Sequence, residues 1–413
     1  MSEITWEITS LSELGTFSRG KSKHRPRNDV KLFEGGKYPL VQTGDVKAAN
    51  LYITKNDSYY NDFGLKQSKL WAAGTLCITI AANIAETAIL SYPMCFPDSI
   101  VGFNANPEKS SELFVYYFFE YIKKEIQKSA SGSIQDNINI DYLSKMRIKV
   151  PEKKYQDKIV ELLSSIDKKI LLNNQINQEL EAMAKTLYDY WFVQFDFPDQ
   201  NGKPYKSSGG KMVYNPELKR EIPEGWGVDS LWNIANFYNG LAMQKYRPDT
   251  NEDDYLPVIK IREMMNGFTK DTEKARLDIP TEAVVESGDI LFSWSATLEV
   301  IIWGKEKGAL NQHIFKVTSD TYPKSFIYFE LKSYLKVFKS IAELRKTTMG
   351  HITQDHLKQA KIVVPPIEII SKLDAKLQPI MLKQQILENQ NQELIQLRDW
   401  LLPMLMNGQV KVE

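Results

Sequence analysis

The chain is written twice. The tetrapeptide NQEL stands at Asn177–Leu180 and again at Asn391–Leu394, and shorter pieces upstream of each recur in the same order. WEITSLSEL from Trp6 returns as WGVDSLWNI from Trp226, and KHRP (Lys23–Pro26) returns as KYRP (Lys245–Pro248). YPLVQTGDV (Tyr38–Val46) matches YLPVIKIRE (Tyr255–Glu263), and GTLCITI (Gly74–Ile80) matches GDILFSW (Gly288–Trp294). SGSIQDNINIDYL (Ser131–Leu143) matches MGHITQDHL (Met349–Leu357), and each soon reaches a Val-Pro, at Val150–Pro151 and Val364–Pro365. A repeat this long means that one architecture is built twice, with each copy large enough for its own core.

Each copy has two parts. The first is rich in short β-branched and aromatic runs broken by Gly, Pro, Asn and Asp, which predicts a mixed α/β globule. Phe114–Gln127 and Phe326–Ile341 read as helices within the globules. The second part is a long helix. Steps of four and three connect Ile159, Leu163, Ile166, Ile170, Asn173, Asn177, Leu180, Ala184, Leu187 and Trp191. The second copy gives Leu373, Leu377, Ile380, Gln384, Leu387, Asn391, Leu394, Arg398, Leu401 and Leu405. A 3.5-residue apolar period held over several heptads calls for a partner helix, whereas a helix packed on its own globule would follow the 3.6 period. A buried Asn in such a seam penalises wrong registers. An antiparallel pair with Asn173 opposite Asn391 places Asn177 opposite Leu387. Pro379 should kink or delay the second helix.

These readings predict a mixed α/β fold with two globules related by a pseudo-twofold repeat and two long antiparallel coiled-coil helices. The segments are a globule over 1–151, a helix over 152–196, a connector over 197–225, a globule over 226–365 and a helix over 366–413. The connector, rich in Gly, Pro and Ser, is expected to be ordered but outside any core.

Chemistry is sparse. Lys and Arg number 52, as do Asp and Glu, so overall charge neither suggests nor excludes nucleic acid. Cys77 and Cys95 form no C-x-x-C pair, the first residues have no signal-peptide order, and no apolar run is long enough for a bilayer. These features predict a cytoplasmic chain without a membrane partner. The four histidines include no H-E-x-x-H, and the adenine-methyltransferase signature is absent. GTFSRGKS (Gly15–Ser22) fits the phosphate-loop pattern, but only Phe17 and Gly20 persist in the second copy, as Phe237 and Gly240. Pro26 also stands where the required helix should run. Asp199 and Glu217 loosely fit a metal-nuclease pattern, yet both lie in the connector.

Nucleic-acid signals are stronger. Arg19, Lys21, Lys23, Arg25 and Arg27 stand close together, and the second copy carries Gln244, Lys245 and Arg247 at the matching place. A solvated loop would account for one such cluster, but its recurrence favours contact with phosphates. Ser131, Ser133, Gln135 and Asn137 in one copy, and Arg345, Lys346, Thr347, His351 and Gln354 in the other, are suited to base edges. These loops differ between copies far more than the helices do, as expected if two globules on one scaffold read different sequences.

On these residues the chain resembles the specificity subunits of type I restriction–modification systems. The resemblance covers essentially the whole chain. It rests on the twofold globule-and-helix order, on YDYWFVQFDFP (Tyr188–Pro198) continuing through GKPYKSSGGKMVYNPELKREIPEGW (Gly202–Trp226), on NQEL in both helices, and on WLLPMLMNGQV (Trp400–Val410). It implies a non-catalytic subunit whose two target-recognition domains each read half of a bipartite site in double-stranded DNA. The helices would act as spacer and dock two modification subunits. It also implies restriction subunits as partners, with S-adenosylmethionine, ATP and Mg bound by those partners and no cofactor by this chain. The alternatives are an ATPase through Gly15–Ser22, a metal nuclease through Asp199 and Glu217, or a recognition subunit of a methylation-only system.

Overall fold

The computed structural model describes residues 4–81, 83–131, 139–248, 254–269, 271–344 and 351–412, apart from the side chains of 129–131 and 344. The chain divides into two compact units, Met1–Leu171 with Glu393–Glu413, and Leu172–Gln392. The division falls inside both long helices, Lys153–Tyr188 and Ile367–Met406. Each unit therefore owns one globule and a stretch of both helices.

In the first unit, Trp6–Ser10 pairs antiparallel with Arg147–Pro151, so the globule begins and ends on one two-stranded ribbon. The long helix starts directly after it. The main sheet has five strands, in the order Gly15–Arg19, Ile100–Ala105, Leu76–Thr79, Thr87–Leu90 and Tyr52–Ile53. A second sheet orders Ser58–Tyr60, Tyr38–Leu40, Met94–Cys95 and Leu70–Trp71, with a parallel pair at its centre. The helix Glu112–Ser131 packs Phe114, Val115, Tyr117 and Phe118 into one core with Leu76, Ile78, Val101 and Phe103. Both cysteines are buried free thiols.

The second unit repeats this plan, except that the edge strand Tyr52–Ile53 of the main sheet has no counterpart. Gly227–Ser230 pairs with Lys361–Val364. The main sheet orders Asn236–Asn239, Ile314–Thr318, Ile290–Ser293 and Glu299–Ile302. The second sheet orders Lys274–Ala275, Leu256–Ile259, Gly308–Leu310 and Val284–Val285, again with a central parallel pair. The helix Lys324–Leu344 takes the place of Glu112–Ser131. The same order over the four shared strands of the main sheet, and over all four of the second sheet, is what the shared sequence pieces require.

Of the predicted stripe, Ile159, Leu163, Ile166, Ile170, Asn173 and Ala184 are buried on the first long helix and Trp191 in the turn that follows it, whereas Asn177, Leu180 and Leu187 are half-buried. In the first unit its opening turns share a core with Leu405 and Met406. There the helices run antiparallel, with Arg398 Nη1 donating to Asp167 Oδ1 at 2.9 Å, and Val412 N donating to the Tyr155 hydroxyl at 2.9 Å. Asp167 also accepts from the Tyr117 hydroxyl at 2.6 Å, so the charge on the helix seam is paired twice. The second helix closes on Gly408, whose φ of 79° is the left-handed turn that glycine supplies without strain.

In the second unit Asn173 Nδ2 donates to Asn391 Oδ1 at 2.9 Å, and Asn391 Nδ2 donates to Asn174 Oδ1 at 2.8 Å. Asn177 and Gln384 exchange side-chain-to-backbone bonds at 3.4 and 3.3 Å. Leu387 is buried and Leu180 half-buried in this unit, and Leu394, in the first unit, is half-buried.

Two sequence expectations need correction. The helix is continuous from Ile367 to Met406, so Pro379 neither delays nor interrupts it. Pro379 and Ala375, whose carbonyl loses its partner, both lie on the exposed side, while Leu373 and Leu377 hold the buried face. Nor is the connector outside the core. The first long helix ends at Tyr188 in a π turn (Asp189–Val193), and Phe195, Phe197, Ile222 and Trp226 are buried in the second unit's core. Phe197 stacks on Tyr205 at 4.6 Å, and Asp196 accepts from Ser207 N and Oγ at 2.7 and 2.6 Å. Aromatic residues interleaved with turn residues were the missed signal.

Candidate functional site

GTFSRGKS does not form a phosphate loop. Gly15–Arg19 is a sheet strand, and no helix follows before the short turn Val30–Leu32. Gly20 N donates to Ile100 O at 2.8 Å, and a Cβ at Gly20 would stand 2.1 Å from Pro97 O. Gly240 repeats the arrangement: its N donates to Ile314 O at 3.1 Å and its Cβ would stand 2.2 Å from Asn311 O. Both copies need glycine there because backbone crosses backbone.

The basic segment beyond Gly20 folds onto one acid. Arg27 reaches Asp98 Oδ1 at 2.5 Å, Arg25 reaches Asp98 Oδ2 at 3.6 Å, and Arg19 Nε donates to Asp98 O at 2.7 Å. Arg25 also donates to Ser22 O and His24 O. His24 Nε2 lies 2.8 Å from Asp29 Oδ2, and that contact with the Lys31 N–H holds the Asp29 carboxyl below its ordinary range. Lys21 and Lys23 are exposed, and no carboxylate among the described residues is within salt-bridge distance of either. Two arginines held by the Asp98 carboxylate, and a third by its backbone carbonyl, leave a net positive, pre-shaped surface next to two free lysines, a geometry suited to a phosphate backbone.

In the second globule Gln244 and Lys245 are exposed on the turn Met243–Tyr246, which is anchored by buried Met243. Arg247 lies 4.0 Å from Glu273, which also takes Lys260 at 2.5 Å. Gln354 is exposed on the short helix Gln354–Gln359. His351 packs its ring 5.4 Å from Trp294. Ser133, Gln135, Asn137, Arg345, Lys346 and Thr347 lie outside the described residues, as does the side chain of Ser131, the last residue of its helix.

Sequence reasoning missed Asp98, which sits 79 positions from Arg19, and missed the turns beside these loops. After Leu76–Thr79 the Thr79 hydroxyl donates to Asn83 O and accepts from Glu86 N. After Ile290–Ser293 the Ser293 hydroxyl donates to Thr297 O and accepts from Glu299 N. Each turn holds an alanine at positive φ, Ala85 at 60° and Ala296 at 55°. A left-handed non-glycine in both copies marks turns fixed by their surroundings.

Asp199 caps its own loop, accepting from Asn201 N and Lys203 N at 2.8 Å each, and Glu217 faces Lys361 at 3.7 Å. Among the described residues no group of three or more His, Cys, Asp or Glu side chains could hold a metal ion, and no helix is long and apolar enough to cross a membrane.

Comparison with known proteins agrees with this twofold plan. The family model described as the type I restriction modification DNA specificity domain matches the chain over residues 3–182 and again over 223–397. The chain is 26% identical over 424 residues to the type I restriction enzyme MjaIX specificity subunit of Methanocaldococcus jannaschii, covering 99% of this chain and 94% of that one. It is 26% identical over 453 residues to the type I restriction enzyme HindI specificity subunit of Haemophilus influenzae, covering 93% and 97%. Its fold is similar to the crystal structure of a type I restriction–modification S subunit from M. genitalium, with a TM-score of 0.58, 15% identity, and 98% and 97% of the two chains covered. Two matches on one chain, each spanning one globule and most of one long helix, show that it belongs to the type I restriction modification DNA specificity domain family.

Proposed function

We propose that this chain is the DNA-recognition and assembly subunit of a type I restriction–modification enzyme. Each globule, over 1–151 and 226–365, reads one half of a bipartite site in double-stranded DNA. The helices set half-site spacing and dock two modification subunits. Catalysis resides in partners: modification subunits using S-adenosylmethionine, and restriction subunits using ATP and Mg. The chain itself binds no cofactor and works in the cytoplasm. The carrying observation is that two globules share the order of four strands in each of two sheets while their exposed loop side chains differ. A common frame with different surface chemistry supports two readers of different sequence. Seam asparagines that bond in one register support a spacer of fixed length.

The test is to express the chain with its modification subunits in a host lacking other methylation and to map methylated adenines. The expected result is a two-part motif with an unspecified spacer. Exchange of residues 1–151 for those of a relative should change one half only. A single uninterrupted motif, or a change in both halves, would refute the reading.

A further inference from the structure

The matched frames allow side chains to be compared place by place. Gly20 with Ile100, and Gly240 with Ile314, are bonded alike. Ile80 N donates to Ser99 O at 3.0 Å, and Trp294 N donates to His313 O at 3.3 Å. Arg19 therefore occupies the place of Asn239, Ile80 that of Trp294, and Asp98 and Ser99 those of Gln312 and His313. None of these four side chains is kept, whereas the groups that build the frame (Gly20 and Gly240, Ile100 and Ile314, the Thr79 and Ser293 hydroxyls) are kept in kind.

In the second globule the four exchanged side chains form one cluster. Trp294 Nε1 donates to Asn239 Oδ1 at 2.9 Å. The Trp294 ring lies 5.6 Å from the His313 ring and 5.4 Å from the His351 ring. Gln312 Nε2 stands 3.4 Å from His313 Nε2. Asn239 is exposed, and Trp294, Gln312, His313 and His351 are half-buried. Nδ1 of both histidines is shielded and has no hydrogen-bond partner among the described residues. Side chains carrying donor–acceptor pairs thus gather at one surface around a rigid ring, and among the described residues this cluster includes no lysine or arginine.

We propose that Asn239, Gln312 and His313, arranged about Trp294 with His351, form the base-reading surface of the second globule and take a nucleobase edge in double-stranded DNA. This deepens the function proposed above and rests on it. A carboxamide presents a donor and an acceptor side by side, the pattern that the adenine edge answers in the major groove. Neutral imidazole offers one of each. The lysine and arginine residues elsewhere on the globule supply the sequence-independent attraction.

The test uses the full chain assembled with its modification subunits, and duplexes carrying the motif mapped for that complex or substituted in either half. Gln312→Met keeps the side chain's length and removes its hydrogen bonds, and Asn239→Ala is a second change at an exposed site. Each should lower discrimination at one half-site by roughly 5- to 150-fold, leave the other half untouched, and leave the slope of log affinity against log salt unchanged. Full discrimination retained at both halves in both variants overturns the proposal, as does equal weakening at both halves with a shallower salt slope. If the unaltered complex prefers no motif, the recognition function falls as well. That result is distinct from a preference the variants leave intact.

Discussion

Exchange of Asn391 for leucine should destabilise the unit Leu172–Gln392 by about 1–3 kcal/mol, whereas the same exchange at Asn173 should change it by less than about 1 kcal/mol. The asymmetry follows from the bonding. Asn173 is wholly buried, its Nδ2 donates to Asn391, and its Oδ1 already lacks a partner among the described residues. Asn391→Leu leaves a complete carboxamide without bonds in the seam. Asn173→Leu removes an unpaired carbonyl and strands only Asn391 Oδ1, on a residue 7% exposed that keeps its bond to Asn174. The loss and the gain nearly offset. The double variant carries neither burden and should exceed the unaltered protein by about 1–2 kcal/mol, at the expense of register specificity. Urea titration followed by circular dichroism gives the order of stabilities. A two-unit chain need not unfold in one step, so hydrogen exchange of seam amides is needed to assign the change. If Asn391→Leu proves as stable as Asn173→Leu, or if the two changes simply add, the hydrogen-bond account of the register is wrong.

Other outcomes follow from single contacts. Burial pushes the Glu330 carboxyl up to about 7, against the Tyr188 hydroxyl that donates to it and pulls the other way. The folded chain thus holds a proton that the unfolded chain releases, so stability is fullest below the unfolded pKa and falls as pH rises through about 7. The total is roughly 3 kcal/mol, and Glu330→Gln should abolish this slope in pH-dependent melting. Gly240→Ala should cost about 3 kcal/mol or more in the second unit, since its Cβ would strike two backbone carbonyls, and thermal unfolding reads this directly. Lys21→Ala, at an exposed position with no carboxylate partner among the described residues, should alter stability by less than about 0.5 kcal/mol and reduce the salt slope of DNA binding by about one. Loss of ATP hydrolysis in that variant, from a chain that hydrolyses ATP, would restore the phosphate-loop reading.

The stripe from Ile159 to Trp191 was legible because helical periodicity is local: spacing along the chain fixes which side chains share a face. The Asn173–Asn391 bond was legible for the same reason, since two periodic helices admit few registers once a polar position must be matched. Asp98 was not, because nothing near Arg19 or Arg27 in the chain announces an acceptor on a distant strand end. The Trp294 cluster escaped for a related reason. Asn239, Trp294 and Gln312 come from three separate strand ends, and only sheet pairing brings them together. Pro379 does not delay the second helix, because propensity describes an isolated helix and packing along Leu373 and Leu377 overrides it. The repeat and the two periods by themselves determined that this chain builds one globule-and-helix design twice. Which side chains of that design meet at a surface, and which carboxylate holds the arginines, was settled by contacts between residues far apart in the chain, where hydrogen-bond satisfaction and close packing leave room for one arrangement.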